Sequence, residues 1–150
     1  MTAAPFLVRA WNPVTARLLR IGLPLGPNVL MTVRGRTSGQ PRTLPVAIPE
    51  IHGRRFVIGA YGEVHWVRNL RAAGEADVEA NGRTEHVRAI ELDRAAAVDF
   101  YARLLPGFVA KLPWFGRLFA AILFRLAAPE IANDPERAAA MRPVFEILRA

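Results

Sequence analysis

The sequence contains no cysteine. Disulfides, thiolate zinc centres, thiolate-bound iron–sulfur clusters and a cysteine nucleophile are thereby excluded, and a reducing cytoplasm is the compartment expected. Serine is nearly absent too. Ser38 stands alone with no His/Asp partner near it in sequence, which argues against a serine-hydrolase triad. His52, His65 and His86 show no metal-ligand spacing, so no metal site is expected. No apolar run reaches the roughly 20 residues of a bilayer span; residues 114–128, WFGRLFAAILFRLAA, come nearest and carry Arg117 and Arg125. The opening MTAAPFLVRAWNPVTARLLR lacks the apolar stretch and small-residue cleavage site of a secretory signal. The most informative absence is of acid. Residues 1–49 contain no aspartate or glutamate, so Arg9, Arg17, Arg20, Arg34, Arg36 and Arg42 give them +6 of the chain's +7. A one-sided field of this kind favours an anionic partner, such as a phosphorylated ligand or an acidic membrane surface. Nucleic acid is not expected, because the basic half lacks aromatic interleaving and shows no helix-turn-helix.

What is present describes one folded domain over residues 1–150. A hydrophobic share of 52% with 22% charge suits a globular chain with a real core. Leu7, Trp11, Val14, Leu18 and Ile21 recur at helical spacing and predict an N-terminal helical arm over residues 1–27, as two short helices or one kinked near Pro13. Residues 28–92 carry strand signals: NVLMTVRG, RTLPVAIPE and RRFVIGAYG are rich in β-branched or aromatic residues and bounded by Gly, Pro or Asn. Pro45 and Pro49 mark the second as an edge or bulged strand. Residues 63–73 read as a short helix closed by Gly74, and EADVEA and RTEHVRAIEL form a hairpin about Asn81 and Gly82. Asp93 caps a further helix, and residues 93–150 are expected to be helical. The sum is an α+β domain: a small antiparallel sheet with N-terminal and C-terminal helices. Residues 114–128 are apolar nearly all round, which suits a helix in the core, a homodimer interface, or a helix lying in a membrane interface. The homodimer is the assembly expected, with peripheral contact to an anionic membrane second.

The turn between the first two strands, VRGRTSGQPRT, holds three arginines and three hydroxyl side chains with no carboxylate. It is not a Walker loop, lacking the Gly-Lys-Ser/Thr ending, and it is not a dinucleotide fingerprint, because it leads from strand into strand. It is suited to phosphate. Ser38 and Gly39 can present backbone N–H groups as an anion nest, Thr37 and Ser38 can donate hydroxyls, and Arg36 and Arg42 can make charge-assisted forks. A solvated basic hairpin is the other reading that composition allows.

GRTSGQPRTLPV, then a strand ending in AYG, then WVRNLRAAG, together resemble the deazaflavin-dependent nitroreductase and quinone reductase family of actinobacteria. The resemblance covers roughly residues 28–104. It implies a split β-barrel related to the FMN-binding, pyridoxamine-phosphate-oxidase-like folds, and reduced coenzyme F420 as hydride donor to a small-molecule electron acceptor of quinone, nitro or enone type. It also implies that the cofactor's phosphate and acidic tail lie against Arg36, Thr37, Ser38, Gly39 and Arg42. The family often has lysine where Thr37 stands. Tyr61 and Gly62 would lie by the ring system, Trp66 would wall the groove, and Asn69, three residues on and so on the same helical face, would hydrogen-bond the cofactor. For Trp66, plain core packing is the competing reading. Many family members have a longer loop, with two glycines and a His-Pro pair, where GEVH alone separates Tyr61 from Trp66. His65 and Tyr101 are the candidate catalytic proton donors. FMN on the same fold, and a non-catalytic membrane-associated binding protein, are the alternatives.

Overall fold

A computed structural model describes residues 28–150. The expected helical arm over residues 1–27, with Arg9, Arg17 and Arg20, lies outside the described residues. Seven strands make one antiparallel sheet: β1 (Asn28–Arg34), β2 (Pro41–Ala47), β3 (Glu50–Ile51), β4 (Arg54–Ile58), β5 (Glu75–Ala80), β6 (Arg83–Glu91) and β7 (Val144–Arg149). Their spatial order is β2-β1-β5-β6-β7-β4-β3. The sheet curls until β2 touches β4, giving a split half-barrel. β2 is an edge strand, where the missing N–H of Pro45 is tolerated, as expected; Pro49 lies beyond its end, before β3.

Side-chain alternation along the strands builds two cores. Met31 and Val33 of β1, Ala76 and Val78 of β5, Val87 and Ala89 of β6, and Phe145 and Ile147 of β7 all face inward. Helix α1 (His65–Ala73) closes this concave side with Val67 and Leu70, both fully buried. The neighbours of these strand residues, Phe56 before Val57 and Val144 before Phe145, point the other way. There they meet Phe100, Tyr101, Leu105, Ile131 and Ala138 from the C-terminal helices. Each fully buried side chain of this size contributes roughly 1.5–3 kcal/mol, so the two clusters hold the fold together.

Local signals act as expected at several points. Asn81 and Gly82 have φ of 52° and 74°, the positive pair a type I′ hairpin turn requires. Gly74 ends α1 in the left-handed conformation, returning its N–H to the Leu70 carbonyl. Asp93 caps α2 (Arg94–Asp99), its Oδ1 accepting from the Ala96 N–H at 2.8 Å. A π-helical turn over Phe100–Leu104 leads on to α3 (Leu105–Ala110). The widened turn lets adjacent Phe100 and Tyr101 both face the core, their rings edge-on at 5.3 Å. α4 (Trp114–Ala127), α5 (Pro129–Asn133) and α6 (Pro135–Met141) follow.

Two expectations need correction. The segment over residues 93–150 is not helical to its end, because β7 enters the sheet between β6 and β4. Val144, Ile147 and Leu148 suit a helix by spacing as well as a strand, and pairing with two waiting neighbours decides the matter. Nor is α4 a helix of the chain's own core. Trp114, Phe115, Leu118, Phe119, Ile122 and Leu126 are between 50% and 81% exposed. Among the described residues no helix is long and apolar enough to cross a membrane.

Candidate functional site

The β1–β2 hairpin ends in a six-residue turn that is tightly folded on itself. The Gly35 N–H donates to the Gln40 carbonyl at 2.8 Å, and the Gly39 N–H to the Gly35 carbonyl at 2.9 Å. A Cβ on Gly35 would lie 2.8 Å from Ser38 Oγ and 3.2 Å from the Gln40 carbonyl oxygen, so a side chain there would displace Ser38 and crowd the turn. Ser38 Oγ accepts from the Gln40 N–H at 3.2 Å. Gly39's N–H is therefore committed within the turn and does not complete the expected nest. Thr37, Ser38, Gly39 and Arg42 stand exposed around it.

Arg36 turns back onto helix α1. Its backbone N–H and its Nη1 both donate to Asn69 Oδ1, at 3.2 and 2.7 Å. Nη1 also points at the His65 carbonyl at 3.5 Å, and Nη2 faces His65 Nδ1 at 3.4 Å. His65 and Asn69 are one helical turn apart and so share the face that meets the hairpin. Asn69 is buried and His65 exposed. Val64 precedes α1 at the N-cap position without a side-chain cap, and the first turn of the helix holds no acid. Its unsatisfied N–H groups thus add positive potential beside the Arg36 guanidinium.

The chain enters α1 through a tight turn at the end of β4. Gly62 has φ of 80° and donates its N–H to the Gly59 carbonyl, while the Val64 N–H donates to Gly62's own carbonyl. Tyr61 is half-buried, and that burial raises its phenol pKa. Trp66 is half-buried and packs against the concave core, so core contact is part of its role. Arg36, His65 and Asn69 are thus in direct contact, with Thr37, Ser38, Gly39 and Arg42 on the same hairpin and Tyr61 and Gly62 one short segment before α1.

Tyr101 is not with them. It is 1% exposed in the convex core and its hydroxyl donates to the Arg142 carbonyl at 2.8 Å. Burial drives its pKa well above the usual tyrosine range. It cannot serve as an exchangeable proton donor, and its place is structural. Two further residues at the base of the turn had no signal in sequence. Arg142, one of nineteen arginines, is buried, with Nη1 donating to the Ala60 carbonyl at 2.9 Å and Nη2 facing Glu130 Oε2 at 3.3 Å. A cavity of about 270 Å³ opens between Glu63, Arg71, Glu91 and Arg94. Arg71 bridges both glutamates there, so its charges satisfy one another and it does not border the hairpin.

A curled half-barrel presenting an acid-free, arginine- and hydroxyl-bearing hairpin clamped to the uncapped end of a helix defines a cofactor-binding split barrel. The donor set of Arg36, Arg42, Thr37 and Ser38 suits a tail that carries phosphate and carboxylate groups. A family model described as F420H(2)-dependent quinone reductase matches residues 10–113. The chain belongs to that family, and it is a reductase with coenzyme F420 as its cofactor.

Among solved structures, it is similar to one described as an F420-H2 dependent reductase (FDR-A), at 20% identity and a TM-score of 0.46, over 81% of this chain and 93% of that one. A structure described as a domain-swapped dimer is 21% identical with a TM-score of 0.48, over 94% and 96%. A pyridoxinephosphate oxidase family protein from Clostridium acetobutylicum is 11% identical with a TM-score of 0.49, over 96% and 83%. A comparison with curated protein sequences gives no match.

Proposed function

We propose that the enzyme reduces quinone-, nitro- or enone-type small molecules, with the cofactor's acidic tail on the β1–β2 hairpin and its ring against the turn at Tyr61 and Gly62. The observation that carries this reading is the clamp of Arg36 on Asn69 and His65, which fixes a cation at the helix end before any ligand arrives. Preorganised charge of this kind binds anions without first ordering a side chain. Arg36 and Arg42 hold the tail, and Thr37 and Ser38 donate hydroxyl hydrogen bonds to it. The reduced deazaflavin, when bound, supplies the hydride. His65 passes the proton that accompanies hydride addition to a quinone. With Arg36 Nη2 facing Nδ1, Nε2 is the ring atom left to hold and give that proton, and the exposed ring takes it back from solvent.

Purified protein titrated with F420 and with FMN, then assayed for F420H2 oxidation with a quinone, a nitroaromatic and a cyclic enone, tests the proposal. Binding of F420 in preference to FMN and turnover of at least one acceptor are expected. Tight FMN binding with no F420 affinity, or bound F420H2 that none of the three acceptors oxidises, would overturn it.

A second reading concerns assembly, and the exposed face of α4 favours it. Its six large side chains present on the order of 700 Å² of apolar surface by the areas such residues bury. A standard stable interface takes about 800 Å² per partner. We infer that a second copy of the chain covers this face in a cytoplasmic homodimer, with docking on anionic lipid as the outcome that would replace it.

A further inference from the structure

We propose that Arg142 is a positioning residue: with Glu130 behind it, it sets the height of the turn that carries Tyr61 and Gly62. The inference rests on the reading that this turn lies against the cofactor ring. Arg142 is 5% exposed, and its Nε has no hydrogen-bond partner. A buried guanidinium left partly unsatisfied is costly, and a well-packed apolar residue would serve stability as well or better. Its directed bonds supply what an apolar residue would not. Nη2 reaches Glu130 on α5, Nη1 reaches the Ala60 carbonyl, and the Tyr101 hydroxyl secures the Arg142 carbonyl from the core side. The guanidinium spans two acceptors on separate elements, where a bidentate fork to Glu130 would have left Ala60 unheld.

The rest of the turn leans on the same segment. The Gly59 N–H donates to the Pro143 carbonyl at 2.7 Å. A Cβ on Gly62 would meet the Met141 carbonyl oxygen at 3.3 Å and Arg142 Nη1 at 3.9 Å. Residues 59, 60 and 62 therefore rest on residues 141–143, which lie beyond the family match over residues 10–113. The C-terminal segment of this chain, through one side chain, sets where Tyr61 sits. Arg142 touches no reacting atom; it acts through the Ala60 carbonyl.

The test uses Arg142→Met, Arg142→Lys and Glu130→Gln in the full chain. F420 affinity, governed by the hairpin, is expected to stay within about twofold. The rate constant for single-turnover F420H2 oxidation should fall by about tenfold or more in Arg142→Met and less in Arg142→Lys and Glu130→Gln, as a small misplacement of a positioned group does. In the cofactor-free protein, amide exchange at Gly62 and Val64 should quicken while Phe145 and Ile147 in β7 keep their protection. A merely structural arginine would lower the amplitude of the single turnover, leave its rate constant unchanged and expose β7 as well; that pattern overturns the proposal. Should Arg142→Met fail to fold, Arg142→Lys and Glu130→Gln decide by the same readouts. Gly62→Ala separates the two layers of the argument. If Gly62→Ala slows hydride transfer and the Arg142 and Glu130 variants do not, the positioning role is wrong. If Gly62→Ala leaves the rate constant unchanged, the ring-side reading fails and the proposal falls with it.

Discussion

Replacing Asn69 probes the clamp at the centre of the site. Its Oδ1 accepts a backbone N–H at 3.2 Å and a guanidinium N–H at 2.7 Å, both from Arg36. A neutral hydrogen bond is worth about 1 kcal/mol and one from a charged group about 1.5–3 kcal/mol. Arg36 is exposed, so water takes up its freed guanidinium in Asn69→Ala, and the net loss should sit near the lower end, at about 1.5–2.5 kcal/mol. For a domain of this size that lowers Tm by about 3–10 °C. F420 affinity should fall as well, because the hairpin no longer holds its cation at the helix end. Asn69→Asp separates the two effects. The new carboxylate accepts the same two bonds, so Tm should hold near the wild-type value at pH 7, yet it neutralises Arg36 and should weaken F420 binding by about tenfold or more. Circular dichroism melting and fluorescence titration with F420 measure both quantities. An Asn69→Ala protein with unchanged Tm and unchanged affinity would refute the clamp, and so would an Asn69→Asp protein that binds F420 as tightly as wild type.

Arg36→Ala and Arg42→Ala should each weaken F420 binding by about 1.5–3 kcal/mol, and added salt should weaken the wild-type interaction too; a double mutant that binds normally would exclude the hairpin as the tail site. His86 is hydrogen-bonded to Asp77 and then Glu75, which raise its pKa above 6.5. The stabilisation is fully present below about pH 6.5 and is lost as pH rises through the higher folded value, so the drop in Tm over that interval should flatten in His86→Gln. Phe119→Asp should convert a dimer to monomer in sedimentation velocity, whereas a wild-type monomer that co-floats with anionic vesicles would assign the α4 face to lipid.

Strands β1, β2, β4, β5 and β6 were legible because their apolar alternation, prolines and turn residues are local features. Arg36 and Arg42 stand out in sequence as candidate anion ligands because no acid lies near them along the chain. The nature of the Asn69 contact was not legible, since spacing on α1 says only that Asn69 shares a face with Trp66 and nothing of which hairpin folds onto it. Tyr101 looked like a donor in sequence because a phenol's chemistry does not reveal its burial; the π turn that hides it beside Phe100 is set by packing. β7 was missed for the same kind of reason. Its six residues suit either periodicity, and only β4 and β6, more than fifty residues away in sequence, select the strand.

The position of β7 bears on how the chain acquires its structure. During synthesis β6 and β4 appear long before the strand that joins them, so each keeps one open row of backbone donors and acceptors. Two such rows, held at a gap of one strand width, form a slot that any extended peptide of suitable pattern fits. Until Val144–Arg149 arrives, that slot is open to another nascent copy, and high expression should favour exchange of this strand between molecules. A short synthetic peptide spanning residues 143–149, supplied during refolding, should occupy it and trap a species that lacks its own seventh strand.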